Sequence, residues 1–576
     1  VANGSSNPAS VAAGVMGRGG SGADSLSGTT GVDQIYGEGG DDLLWLSGGD
    51  DYFDGGEGTD RLSFWIATRG VRVDLALKGR QDTGAGLLEL VSIENLGGSD
   101  HDDVLHGDDK ANFIEGGDGD DLIEGRGGND TLYGDDGDDI LHGGDGDDIL
   151  MGDRNGRNGP RDARAGDNEL HGGAGNDHLI GGPGDDRMYG GDGDDVFESS
   201  WGVDIMDGGA GYDVANLFWG RPITVDLAIT TSQAIADGVE VTLKSIEGVR
   251  ATFGKDVLRG GDAGENFYGD GGDDIIDGRG GLDLVQYYSN AIDTYAWAKI
   301  AGGWAITEKA GPNSGGGVDQ VTNVEFMMIG GDLVVQTGMP SIMMPLSSAA
   351  LPFLGGVLLR LSEEAAKTTL ADIGARLDAG AINPYEALKA ITTLADATTS
   401  VASMSYQFFT GQVPSFAGID YLVNPTGPNP YNLNSAYYAK FDVVNRHINF
   451  AVNLGTQGEG RIPFEAKYGA LSLFDATREA YKTIFGAAPT DAKLHQLLDT
   501  RVEFLAAAAG DSPTGLGTKA AMVGFLLAAA ATENVGVIAR ANEAWLIDMA
   551  DGWGYSGVNI LDPSYGLYKA DFIFGG

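Results

Sequence analysis

The sequence predicts a multidomain chain in which a right-handed parallel β-roll with inserted strand pairs is followed by an all-α helical bundle. Three observations carry that expectation. A nine-residue period runs through the first half, two interruptions of it repeat one another about 152 residues apart, and from about Leu346 the apolar spacing changes to threes and fours. At 576 residues the chain is also too long for one compact core.

The repeat is plainest in "GGDGDDLIEGRGGNDTLYGDDGDDILHGGDGDDILM" (116–151), where Gly116, Gly125, Gly134 and Gly143 each open a unit written G-x-x-G-x-D-x-hydrophobic-x. Glycines at the first, second and fourth positions permit positive φ and leave no Cβ between the backbone carbonyls and an ion. The sixth-position aspartate adds a carboxylate. The next three residues, such as Leu122-Ile123-Glu124, form a short strand with the middle side chain inward. Two units make one 18-residue coil, so loops n and n+2 stack on the same side at about 4.8 Å and their oxygens converge on one gap. Such all-oxygen ligation suits a hard cation, Ca2+ above all.

The register can be followed through 19–63, 98–151, 163–216 and 251–286. It nominates as metal ligands Asp24, Asp33, Asp42, Asp51, Asp60, Asp103, Asp121, Asp130, Asp139, Asp148, Asp177, Asp186, Asp195, Asp204, Asp213, Asp256, Asp274 and Asp283, with Asn112, Asn168 and Glu265 as departures. The eighth positions Leu26, Ile35, Leu44, Phe53, Leu62, Leu105, Ile123, Leu132, Leu141 and Leu150 fill a thin interior.

Charge supports the same reading. Acidic residues outnumber basic ones 85 to 36, a formal charge of −49; from Leu346 onward the net is only −7, so everything before it carries −42. That field opposes compaction and repels nucleic acid and anionic lipid, so many cations must enter. The repeat is similar to the RTX (hemolysin-type) nonapeptide, and the resemblance implies a calcium-binding β-roll.

Residues 1–18 read as an N-terminal tail or truncated start, and 19–286 as the roll, with insertions at 64–97, 152–162 and 217–250. The first and last insertions share V-D-L-A followed by S-I-E and read as paired strands that cover a sheet edge. Residues 287–337, with "GGWAIT" and "VDQVTNVEFMMIGG", resemble the strands that close RTX rolls and are expected as a β cap. An uncharged stretch follows, but Pro340, Pro345 and Pro352 interrupt it, so 338–361 is expected as a linker and not a membrane span.

Residues 362–576 are expected to be helical. Asn383 is placed as an N-cap, Pro384 at the first helical position and Gly411 as terminator of one helix. Further helices are expected over 435–455, 490–510, 518–533 and 537–551. The segments "SYQFFTGQVPSFAGIDYLV" (405–423) and "NLNSAYYAKFDVVNRHINFAVNLG" (432–455) resemble the anchoring domain of Caulobacter-type S-layer proteins. There the domain precedes the calcium-binding part; here it follows. The resemblance implies a surface-anchoring domain that binds the O-polysaccharide of lipopolysaccharide, with association to an S-layer or to itself as a further possibility.

Polysaccharide binding needs aromatic faces and planar polar groups, a mixture offered by Tyr431, Asn432, Asn434, Tyr437, Tyr438, Arg446 and His447. Tyr437, Phe441 and Ile448 also recur at helical spacing, so a core role for these tyrosines stays open. The final "KADFIFGG" is similar to the tails of type I secretion substrates, and no cleavable signal is visible at Val1. Together these point to an extracellular location on a Gram-negative cell surface or in a biofilm matrix.

Neither H-E-x-x-H nor G-x-S-x-G occurs, and ligand duty accounts for the carboxylates, so no catalytic residues are assigned. The alternative reading is the calcium-binding and anchoring portion of a secreted S-layer-associated protease whose catalytic domain lies outside this sequence. With no cysteine, neither disulfides nor thiolate metal sites contribute.

Overall fold

The computed structural model describes residues 14–153, 166–198, 201–217, 221–287, 294–308, 316–329, 342–412, 414–533 and 535–539, with Asn542 and Leu546. The chain divides into two compact units: 1–285 with 307–323, and 286–306 with 324–576.

The first unit is a stack of short parallel strands. Strand Leu122–Gly127 pairs with Val104–His106 before it and Ile140–Asp145 after it, Leu122 standing opposite Val104 and Ile140. Strands Phe113–Asp118, Thr131–Asp136 and Ile149–Met151 form the other face with the same 18-residue step. The step follows from the nine-residue unit: each loop turns the chain over, so alternate units share a face. Between the faces Ile35, Leu44, Phe53, Leu62, Leu105, Ile123, Leu132, Leu141 and Leu150 are fully buried, and Leu26 is half-buried. Pairing passes from Ile140 to Glu169 without loss of register, Leu141 facing Leu170, although 154–165, which holds most of the expected insertion 152–162, lies outside the described residues.

Both V-D-L-A insertions split one face and leave the other whole. Leu87–Val91 pairs in parallel with Tyr52–Asp54 and ends that sheet, with Arg80–Asp82 antiparallel along its edge. Arg72–Asp74 then starts a new sheet against Val104–His106. On the opposite face Leu96 joins Leu62 to Ile114 unbroken. The second copy repeats this, with Gln233–Ala236 along Val239–Lys244, Thr224–Asp226 against Val257–Arg259, and Val249 joining Ala215 to Phe267. An antiparallel edge strand removes a row of unpaired backbone groups.

In the second unit Phe326–Ile329 pairs antiparallel with Ile342–Pro345, and Leu351–Leu359 is a helix. The expected linker at 338–361 is therefore largely regular structure. Pro352 falls in the first turn of that helix, where a missing N–H costs nothing.

Two expected helices are each two. Asn383 and Glu386 form a capping box and Pro384 opens Pro384–Ala395, but Asp396 to Thr398 separate it from Thr399–Thr410, which ends at Gly411 with φ 70°. The side chains there find other partners: Ser400 Oγ donates to Asp396 and Thr399 Oγ1 to Leu358 O. Likewise 490–510 divides into Asp491–Leu498 and Val502–Ala509. The helix expected from Ser435 begins at Val443, because Asp442 caps it by accepting from Asn445 N at 2.8 Å. Leu516–Glu533 is continuous. Most of 537–551 and the final "KADFIFGG" lie outside the described residues. Among the described residues no helix is long and apolar enough to cross a membrane.

A ladder of candidate calcium-binding loops

The sixth-position carboxylates form two hydrogen-bonded columns on opposite sides of the roll. In one, each backbone N–H donates to the carboxylate one coil on: Asp24 to Asp42 at 2.7 Å, Asp42 to Asp60 at 2.8 Å, and Asn112 through Asp130, Asp148, Asp177 and Asp195 to Asp213 at 2.7–2.9 Å. In the other, Asp33 donates to Asp51, Asp103 to Asp121, Asp121 to Asp139, Asp186 to Asp204, and Asp256 to Asp274. Glu265 donates to Asp283. All of these aspartates but Asp24 are at most 2% exposed.

Every Oδ1 that receives one of these column bonds is thus engaged, whereas many Oδ2 atoms are not. The Oδ2 atoms of Asp42, Asp60, Asp121, Asp130, Asp139, Asp148, Asp177, Asp186, Asp195 and Asp213 are buried and accept no hydrogen bond among the described residues. Beside each lies a space that glycine keeps open. A Cβ on Gly116 would overlap Asp121 Oδ2 and stand 2.8 Å from Gly134 O; Gly143 and Gly172 are placed alike against Asp148 with Gly172 O and Asp177 with Gly190 O. Orphaned buried anions beside converging carbonyls are what a hard cation requires. Among the described residues no three Asp, Glu or His side chains meet at one point, so ligation here must draw on backbone carbonyls.

The electrostatics show what burying these carboxylates side by side costs. Burial, with neighbouring carboxylates adding to it, pushes Asp121 and Asp274 up to about 8, Asp130, Asp139, Asp177 and Asp195 to about 7, and Asp148 and Asp213 to about 6. Asp186 is also raised well above the ordinary range by burial. Asp33 is the contrast: burial raises it, but N–H donors from Thr29 and Val15 and the hydroxyls of Thr29 and Ser47 bring it below the usual value.

Sequence reasoning missed several column members. Asp60 N donates to Glu94 Oε2 and Asp213 N to Glu247 Oε2, both at 3.0 Å, so the glutamate of each S-I-E takes an aspartate's place where the repeat breaks. Asp274 N donates to Asp319 Oδ1 at 3.0 Å. The shared S-I-E was the available signal for the glutamates.

In the helical unit the seven nominated sugar-binding residues divide. Tyr431 and Tyr437 are exposed, with ring centroids 5.9 Å apart. The others are buried or half-buried, and among the described residues all but His447 engage polar partners within the unit. Asn432 Nδ2 donates to Asn429 O, Asn434 Nδ2 to Leu359 O and Val423 O, and Arg446 to Phe441 O and Ala397 O. Tyr438 is buried and donates to Asn449, and His447 is wholly buried. Asn432, Asn434 and Arg446 thus satisfy backbone carbonyls that would otherwise be unpaired. Tyr421, not nominated, is exposed, and Asn429 links its carbonyl to the backbone N–H of Tyr431.

Residues 18–53, 27–62, 97–132, 124–155, 162–197, 180–215 and 250–285 match the RTX calcium-binding nonapeptide repeat in its four-copy form. Residues 398–570 match the RsaA N-terminal domain. No curated protein matches the chain. Among solved structures, the extracellular lipase LipA from Serratia marcescens is similar over 39% of this chain at 21% identity, with a TM-score of 0.12, and the match spans 37% of the lipase's own length. The chain therefore carries RTX calcium-binding repeats and, after them, a domain of the RsaA N-terminal kind.

Proposed function

We propose that the chain is a secreted, calcium-stabilised, non-enzymatic protein of the Gram-negative cell surface or extracellular matrix, tethered to lipopolysaccharide O-polysaccharide through its helical unit. The observation that carries this reading is the presence in one chain of RTX repeats and a segment matching the RsaA N-terminal domain. Calcium ligation is supported by the buried, unpartnered Oδ2 atoms and the glycine-lined spaces beside them. When bound, calcium would neutralise the carboxylates and join one coil to the next.

The exposed rings of Tyr421, Tyr431 and Tyr437 suit the apolar faces of sugars, and a unit of near-neutral charge suits a neutral polysaccharide. The test is binding of the full chain, in millimolar calcium, to cells that carry O-polysaccharide and to cells that lack it. Retention on the first and loss from the second is expected. Equal retention on both would remove the tethering assignment.

A further inference from the structure

The sixth-position carboxylates are not all in one state, and the second residue of each loop tells them apart. In every loop whose Oδ2 is left without a hydrogen bond, that residue has positive φ: Glu38 74°, Gly56 104°, Gly117 121°, Arg126 82°, Asp135 75°, Gly144 118°, Gly173 120°, Gly182 102°, Gly191 120° and Gly209 102°. A left-handed φ rotates the preceding peptide plane and carries the N–H away from the carboxylate. For Glu38, Arg126 and Asp135 that conformation costs about 1–2 kcal/mol each.

Other loops close on themselves. Thr29, Ser99 and Thr252 lie outside the left-handed region, and their N–H groups donate to Asp33 Oδ2 at 2.5 Å, Asp103 Oδ2 at 2.5 Å and Asp256 Oδ2 at 2.9 Å. Their hydroxyls donate to the same carboxylates. Ser47 Oγ reaches Asp51 Oδ2 at 2.9 Å, and Gly20 N reaches Asp24 Oδ2 at 2.6 Å. The oxygen that faces the glycine-lined space elsewhere is here already satisfied by protons, which a cation would have to displace.

Two of the three departures from the repeat also close. Asn112 accepts from Asp108 N at 2.8 Å and donates from Nδ2 to Glu94 O. Asn168 Nδ2 donates to Asp153 Oδ2 and Gly181 O, so an amide replaces the positive charge. Glu265 is intermediate: Oε1 accepts from Gly261 N, while Oε2 stays buried without a hydrogen bond among the described residues. The pairs Asp24 with Asp33, Asp103 with Asn112 and Asp256 with Glu265 open three of the repeat blocks, two of them directly after an insertion.

We infer that the loops ending at Asp24, Asp33, Asp51, Asp103 and Asp256 hold no cation, and that hydrogen-bonded coils divide the calcium ladder into separate runs. Residue two is the selector. A residue two at positive φ, glycine or a strained residue, opens a loop to the metal; Ser, Thr or a glycine outside that region such as Gly20 closes it, the hydroxyls adding a further donor. The inference rests on the calcium reading of the open loops.

The experiment is calcium stoichiometry of the full chain by equilibrium dialysis at saturating calcium, with strand content read by circular dichroism. Asp121→Asn should lower bound calcium by one ion per chain, whereas Asp103→Asn and Asp256→Asn should leave it unchanged. Gly117→Thr should close its loop and lose one ion, and Ser99→Gly should gain one. A loss of one ion in Asp103→Asn or Asp256→Asn with strand content intact would overturn the division into open and closed loops. A parent chain that bound no calcium would overturn the calcium reading itself, and this contrast with it.

Discussion

The backbone N–H of Asp121 donates to Asp139 Oδ1 at 2.8 Å, and Asp139 lies one full coil further along the roll. Asp130, nearer in sequence, sits in the other column, bonded from Asn112 and donating to Asp148. Carboxylates 18 residues apart therefore share a neighbourhood and those nine apart do not. Asp121→Ala with Asp139→Ala should disturb adjacent loops of one column, while Asp121→Ala with Asp130→Ala disturbs two columns. The first pair is expected to show strong coupling in its calcium midpoint and the second near-additive effects. Equal coupling in the two double mutants would count against this column geometry.

Strand content should depend on calcium. Much of the −42 charge that precedes Leu346 is buried carboxylate, and extracellular calcium modules bind at about 10⁻⁴–10⁻³ M. Circular dichroism in chelator should lose strand signal and regain it at millimolar Ca2+. Mg2+ should restore little, since it dehydrates reluctantly and demands octahedral geometry. Full strand content in chelator would contradict this.

The ladder also sets a pH dependence with two signs. Without metal, burial raises Asp121 to about 8 and Asp139 to about 7, above the unfolded carboxylate value. The metal-free fold therefore holds more protons than the unfolded chain. Its stability is greatest below the unfolded carboxylate value of about 4 and is lost as pH rises from there through about 8. Calcium binding requires the same groups ionised, so protons compete with it. Titrations at pH 8.5, 7 and 5.5 should show the calcium midpoint climbing as pH falls, with protons released on binding. A midpoint that does not move across that window would mean that these carboxylates are not held in the folded ladder at raised values before calcium binds.

How much of this was legible in sequence follows from what each signal encodes. The nine-residue period fixed which side chains point inward and which carboxylates share a column, because both depend on register alone. What it could not fix was the state of each carboxylate. Asp33 and Asp121 occupy the same repeat position, yet Thr29 closes one loop and Gly117 leaves the other open. The helical unit was less legible. Asn434 and Arg446 have the chemistry of sugar-binding residues, but nothing in their spacing revealed that Leu359, Val423 and Ala397 would present carbonyls to them.

A clamp recurs at the two insertions. Arg126 donates Nη1 and Nη2 to Asp74 Oδ1 and Oδ2 at 2.8 and 2.9 Å, and Arg279 binds Asp226 in the same two-point manner at 2.8 and 2.5 Å. Each guanidinium also holds a carbonyl one coil back, Gly107 O or Gly260 O. Asp74→Asn and Asp226→Asn should each lower the stability of the calcium-loaded roll by about 1–2 kcal/mol, the lower range for a charged, partly exposed hydrogen-bonded pair. The sites are far apart in the stack, so the double mutant should show the sum. Urea midpoints in saturating calcium would read this, and no change in either single mutant would make the clamp incidental.

His447 lies on Val443–Thr456, wholly buried, with neither ring nitrogen hydrogen-bonded among the described residues. The helix Leu516–Glu533 crosses close to it, since a Cβ on Gly524 would stand 2.6 Å from His447 O. Burial drives the imidazole down to about 3, so it is neutral when folded and charges readily when unfolded. That stability is present above the unfolded value of about 6.5 and is lost as pH falls toward 3, a penalty of about 2 kcal/mol at pH 5. His447→Leu removes the titrating group and fills the site with apolar volume. In saturating calcium, the helical signal at 222 nm should then melt at or above the parent's temperature at pH 7. Between pH 6.5 and 5 the variant should lose less stability than the parent by about that amount. Parallel pH profiles for the two proteins would show that the imidazole reaches solvent and that the packing described around it is wrong.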